Sequence, residues 1–191
     1  NLKKLGLTAR EIDVVLLTHL HFDHGGGCTK LDRSGNAVPT FPKAKYMVQR
    51  ESWEEALEPN ERGKQSFYTD DFLPLEKSDA VTYLDGDAEI APGVNVKVTS
   101  GHSQGHQMVL VEAGSERIAY VADLIPTSYH LPLACISASD QSPNETLAQK
   151  REVLDMASDG GWLLVFGHAS EPRAGYVERR NGATQLLPVD F

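Results

Sequence analysis

The sequence predicts an α/β fold, and three observations carry that expectation. Short apolar runs with β-branched members, such as Val14-Val15-Leu16-Leu17 and Trp162 to Phe166, lie between turn signals and read as strands. Helix signals fall between them, at Arg50 to Leu57 and from Ser142 onward. Histidine or aspartate follows the end of four apolar runs, at His19, His102, Asp123 and His168. A length of 191 residues suits one domain with a sizeable core, and no internal repeat or low-complexity tract divides it. A single domain over residues 1–191 is therefore expected.

Taken in order, Leu2 to Leu7 is a short apolar-basic segment. Thr8-Ala9-Arg10-Glu11 has the capping-box form, a hydroxyl followed by a carboxylate that can bond back to the chain start, so one helical turn is expected there. Val14–Leu17 is a buried strand. Leu31 to Pro42, rich in Gly, Pro, Asn and Ser, reads as loop. Ala44 to Val48 reads as a strand, and Arg50 to Leu57 as a helix carrying Trp53 and stopped near Pro59. Residues 60–80 are polar with scattered aromatics and show no period. Val81 to Leu84 runs as a strand into the turn Asp85-Gly86-Asp87. Val94, Val96 and Val98 alternate with polar residues, the mark of a half-buried strand.

The second half continues in the same vein. Met108 to Val111 and Ile118 to Ala122 form a hairpin around Gly114-Ser115, ending at Asp123. Residues 124–141 read as loop. Ser142-Pro143-Asn144-Glu145 combines a capping box with proline at the first helical position, and the helix should run to about Ser158 with Leu147, Val153 and Leu154 inward. Gly160-Gly161 ends it. Trp162 to Phe166 is a buried strand, and Tyr176-Val177 with Gln185 to Leu187 a closing hairpin.

The chemistry concentrates at Thr18-His19-Leu20-His21-Phe22-Asp23-His24, where three imidazoles and one carboxylate fall within six residues. His19 and His21 are two apart and can point to one side of an extended segment. Asp23 and His24 come round on the turn that Gly25-Gly26-Gly27 loosens. Imidazole and carboxylate suit zinc, manganese and iron. A cluster of surface histidines beside a turn is the plainer reading, but burying such a cluster without metal or partners is costly. With His102, Asp123 and His168 there are seven candidate ligands: too many for one tetrahedral zinc, and about right for two metals sharing a bridge.

Composition excludes several classes. Hydrophobic content of 40% and charged content of 24% are ordinary for a globular protein, and a net charge of −9 with no basic run argues against nucleic acid as partner. No apolar run has membrane length, and no signal-peptide pattern is seen. Two cysteines, Cys28 and Cys135, make no disulfide framework, and Cys28 reads as a small buried thiol rather than a ligand. Cytoplasm is the default compartment.

On these residues the sequence resembles the metallo-β-lactamase-fold hydrolase superfamily. The His-x-His-x-Asp-His run at 19–24 carries the resemblance. Gly101-His102 and Ser103-Gln104-Gly105-His106 are similar to the family's Gly-His-Thr-x-Gly-His loop. Phe41 to Trp53 and Asp123 to Thr127 look like the branch that includes quorum-quenching N-acyl homoserine lactonases. The resemblance implies a metallo-β-lactamase-like four-layer αβ/βα sandwich and two divalent metal ions, zinc first with manganese, iron and cobalt open. It places His19, His21 and His102 on one metal, Asp23, His24 and His168 on the other, and Asp123 between them. It further implies a hydroxide shared by the metals that attacks an ester-like bond of a small molecule, a lactone first, with Asp23 and Asp123 as the catalytic carboxylates. His106 matches a position that is usually not a ligand, and His130 matches none.

Several features narrow the choice within the superfamily. His21 stands where flavodiiron proteins carry Glu, against redox di-iron chemistry, and the Asp123 bridge argues against true β-lactamases. Better-known lactonases place Tyr three residues after the bridging Asp; here that residue is Pro126, with Tyr129 a candidate substitute. Phosphotriester or other ester hydrolysis therefore stays open, as does a non-catalytic metal-binding protein. Family members carry strands ahead of the first His motif, so a domain incomplete at its N-terminus is expected, with the missing strands in a further segment or a homo-oligomeric partner.

Overall fold

The computed structural model describes residues 2–180 and 182–189; both ends of the predicted 1–191 span, and Asn181, lie outside them. The chain is organised as two compact units, Asn1–Asp85 and Gly86–Phe191.

In the first unit, β1 (Val14–Leu16) leads through the one-turn helix α1 (Phe22–Gly25) into a hairpin of β2 (Thr29–Leu31) and β3 (Ala37–Pro39). β4 (Lys45–Gln49) then lies parallel to β1, and β5 (Val81–Leu84) parallel to β4. β4 is central, and Tyr46 and Val48 on it are fully buried. Helix α2 (Arg50–Leu57) carries Trp53 into this core, edge-on to Phe72 at 5.1 Å and to Tyr83 at 5.5 Å. Each such fully buried apolar side chain is worth about 1.5–3 kcal/mol. Thr8 closes a single 3₁₀ turn, Ala9–Glu11, with its N–H and its hydroxyl both donating to Glu11 Oε2 at 2.8 and 2.7 Å.

Two expectations for this unit are corrected. The stretch Leu31 to Pro42 is a hairpin, not open loop: its turn is tied by Asp32 Oδ1, which accepts from the N–H groups of Ser34 and Asn36 at 2.8 and 2.9 Å. The aperiodic stretch 60–80 contains a helix, α3 (Thr69–Lys77), despite Pro74 in its interior. Pro74 has no N–H to offer the Asp70 carbonyl one turn earlier. The Thr29 hydroxyl donates to that carbonyl instead, at 2.9 Å. A side chain from another element thus satisfies the carbonyl that the proline leaves without a donor.

The second unit is a seven-stranded sheet in the order β12-β11-β10-β9-β8-β7-β6. Its strands are β6 (Ala88–Ala91), β7 (Val94–Val98), β8 (Gln107–Ala113), β9 (Glu116–Tyr120), β10 (Leu163–Val165), β11 (Ala174–Arg180) and β12 (Ala183–Val189). The sequence pattern does not announce β6; it pairs with β7 through a register shift between Glu89 and Ala91, which blurs the alternation. β7 is antiparallel to β8, β8 is antiparallel to β9, and β10 is parallel to β9. β7, β9 and β10 therefore all end at the same edge of the sheet.

Helix α4 (Pro143–Gly160) buries Thr146, Lys150, Val153, Leu154 and Ala157, one face at helical spacing. Leu147 is only half-buried. The capping box expected at Ser142 does not form: the Ser142 side chain makes no cap bond, and its N–H donates to the Gly101 carbonyl at 2.8 Å. At the other end Gly161, with φ +65°, closes the helix by donating to the Ala157 carbonyl.

Candidate metal centre

Four ligand-type residues follow strand ends: His19 after β1, His102 after β7, Asp123 after β9 and His168 after β10. A hydrogen-bonded strand fixes where the chain leaves the sheet, and the loop beyond it is free to present side chains. Because β7, β9 and β10 end at one edge, His102, Asp123 and His168 converge although far apart in sequence.

In the first unit, His19 is fully buried and His21 nearly so. His19 Nε2 lies 3.1 Å from His21 Nδ1, and the two rings meet edge to face at 4.5 Å. The Thr18 hydroxyl sits 3.1 Å from His19 Nδ1. A proton on Nδ1, donated to that hydroxyl, leaves the Nε2 lone pair directed at His21. The His24 ring packs 4.2 Å from that of His19, and His24 Nε2 is 3.5 Å from Asp23 Oδ2. Phe67 stacks edge-on against His21 at 4.9 Å. Beside them Phe22 and Tyr68, about half exposed, pair at 5.7 Å.

In the second unit, Asp123 divides its carboxylate between two rings. Oδ1 is 3.1 Å from His168 Nε2, and Oδ2 is 3.3 Å from His102 Nε2. His102 Nδ1 is 2.8 Å from Asp140 Oδ1, and since a carboxylate only accepts, Nδ1 carries the proton. In a neutral ring, Nε2 then turns a lone pair toward another acceptor. Two acceptors facing each other at this distance suit a shared cation, and the donor set of nitrogen and carboxylate oxygen fits zinc and its neighbours.

Asp123 is reached by a single 3₁₀ turn, Ala122–Leu124, rather than directly from the strand. Ala122 sits at φ +44°, a left-handed conformation that costs a non-glycine residue on the order of 1 kcal/mol. His106, fully buried, supports the turn: its Nε2 accepts the Asp123 N–H at 3.2 Å, and its Nδ1 faces the Thr99 hydroxyl at 2.9 Å. His130 is partly buried and bonds locally, its Nδ1 facing the Thr127 hydroxyl at 2.9 Å. Tyr129 is 78% exposed on the same loop. Cys28 is buried and Cys135 exposed.

Sequence reasoning missed Thr18 and Asp140. Thr18 is legible in retrospect as a lone hydroxyl between an apolar run and a histidine. Asp140 lies in an irregular loop with no spacing that ties it to His102.

A scaffold that delivers paired imidazoles and carboxylates from strand ends is built for divalent metal. The chain belongs to the metallo-beta-lactamase superfamily, whose family model matches residues 2–168. It is 33% identical over 177 residues to an N-acyl homoserine lactonase of Bacillus thuringiensis, covering 89% of this chain and 61% of the relative. The chain thus spans about three fifths of that relative's length. A solved structure from Staphylococcus aureus, described as a probable metal-dependent hydrolase, matches with a TM-score of 0.84 and 27% identity, covering all of this chain and 68% of that one. The fold is also that of AidC, a dizinc quorum-quenching lactonase solved with N-hexanoyl-L-homoserine as product (TM-score 0.83, 20% identity; 100% and 68% covered). The α/β class and the resemblance read from residues 19–24 are both met. Among the described residues no helix is long and apolar enough to cross a membrane.

Proposed function

We propose that the chain is the metal-binding part of a dinuclear hydrolase that opens a lactone. His19, His21 and His102 hold one divalent ion, Asp23, His24 and His168 the second, and Asp123 serves both. The observation that carries this reading is the Asp123 carboxylate, with one oxygen toward His102 and the other toward His168. Two such ions, when bound, supply Lewis acidity and a water acidic enough to ionise near neutral pH. The chain's own residues do the rest. Thr18 and Asp140 each pin a ring nitrogen, so that His19 and His102 turn the other one inward. The partly exposed Asp23 carboxylate takes up and returns the proton moved as the ester-like bond opens. Phe22 and Tyr68 form an exposed aromatic ledge that suits an apolar arm on the substrate. Zinc is the favoured metal, with manganese, iron and cobalt accepted by the same donors.

The relatives' activity supports a lactone as substrate. Pro126, where better-known lactonases carry Tyr, supports a phosphotriester as the second reading, because the residue that would polarise the lactone carbonyl must then come from elsewhere, such as Tyr129. Elemental mass spectrometry on protein purified without chelator, followed by a screen of lactones and then phosphotriesters, tests both. About two ions per chain with lactone opening is expected. Metal without hydrolysis of either class would make it a binding protein instead. Full metal content and activity in a His19→Ala/His21→Ala double variant would overturn the reading altogether.

A further inference from the structure

We propose that Asp140 is the positioning residue for His102: it fixes the ring so that Nε2 faces the metal and strengthens that nitrogen as a donor. The inference rests on the reading of His102 as a metal ligand. His102 is 2% exposed and Asp140 only 1%, and Asp140 Oδ1 accepts from His102 Nδ1 at 2.8 Å. A carboxylate buried to this degree is costly unless a partner offsets its desolvation. Its other oxygen, Oδ2, has no hydrogen-bond partner among the described residues. A carboxylate kept only to tie the loop together would be bonded at both oxygens; this one spends its bonding on the imidazole.

The backbone around Asp140 is fixed from both sides. Just after it, Gln141 N–H donates to the His102 carbonyl at 3.2 Å and Ser142 N–H to the Gly101 carbonyl at 2.8 Å. The carboxylate and the ring it orients are therefore laced together through their own main chains. Gly101 permits the close approach: at φ +125°, a Cβ there would lie 2.5 Å from the Thr146 nitrogen in the first turn of α4. Ahead of Asp140, the buried Lys150 ammonium donates to the Pro132 and Cys135 carbonyls at 2.7 and 2.8 Å, anchoring the loop that carries it. A carboxylate on the far nitrogen of a ligating imidazole selects the tautomer, holds the ring plane and raises ligand basicity; losing such a partner lowers metal affinity by about 10–100-fold.

The test uses the full chain as wild type, Asp140→Asn and Asp140→Ala. Each is titrated with zinc against a chromophoric chelator and loaded with cobalt for its visible spectrum, and the metal-free melting temperature is recorded alongside. Asp140→Asn keeps the shape and an acceptor while removing the charge. Wild type should take two ions. Asp140→Asn should melt within a few degrees of wild type when metal-free, yet lose affinity at one ion by roughly tenfold or more and shift part of the cobalt spectrum. Asp140→Ala should lose more at the same ion. If wild type takes two ions and Asp140→Asn matches it in affinity and spectrum, the role of Asp140 is overturned while the metal centre stands. Wild type that takes no ion overturns the metal centre, and the role of Asp140 with it.

Discussion

The two units present their candidate ligands in opposite ways. In the first, His19, His21, Asp23 and His24 are neighbours in sequence, and one strand end followed by one helical turn arranges them. In the second, His102, Asp123 and His168 come from three strands whose shared direction alone brings them together. A contiguous motif needs only local geometry, so it survives moderate loss of tertiary order. A distributed one exists only while the whole sheet is in register.

The sharpest way to break this comparison is Asp123→Ala. It removes the carboxylate that His102 and His168 share, and hydrolysis should fall by more than about 100-fold, beyond what loss of a supporting partner to a ligand costs. Steady-state kcat/KM and metal stoichiometry read the effect, and activity within tenfold of wild type would deny Asp123 its shared role. Next in size is Lys150→Met, which keeps length and apolar volume but takes the charged donor away from the Pro132 and Cys135 carbonyls. Chemical denaturation should show about 1–3 kcal/mol lost, with near-UV dichroism changing first at Trp162 of the second unit rather than Trp53 of the first.

A smaller effect separates the units by pH. Burial, with the Asp71 charge adding to it, pushes the Cys28 thiol up to about 12 from an ordinary 9.0. Below pH 9 both folded and unfolded thiols hold their proton and nothing changes. Above it the unfolded thiol ionises while the folded one does not, so stability falls as pH rises, by at most about 1.4 kcal/mol per unit for this one proton. Cys28→Ala should flatten that part of the urea-midpoint profile. A thiol reagent at neutral pH should modify the exposed Cys135 quickly and Cys28 only after unfolding; equal rates would contradict the burial. The least effect is expected from Arg50→Ala. Its pairing with Asp85 at 2.9 Å is exposed on both sides and screened by water, so a thermal melt should barely move.

The same contrast explains what the sequence disclosed. The β-branched runs at 14–17, 81–84 and 94–98 and the helix Arg50–Leu57 follow from local pattern, and structure agrees within a residue. The cluster at 19–24 was legible because its chemistry is compressed into six residues. Apart from the family resemblance, His102, Asp123 and His168 are legible only as residues that trail strands, since their meeting depends on strand order. Asp140 was not legible at all: its partner is far away and its own loop irregular. α3 was hidden because Pro74 argues against a helix until the Thr29 hydroxyl is known to be there.

That last bond has a consequence for how the first unit breathes. The Asp70 carbonyl has exchanged a donor within its own helix for one on β2, so unwinding α3 at this turn also breaks its tie to the β2–β3 hairpin. The two should open as one cooperative piece. In native-state hydrogen exchange the amides of α3 and of the hairpin would then share a single opening free energy, and Thr29→Val would split it in two.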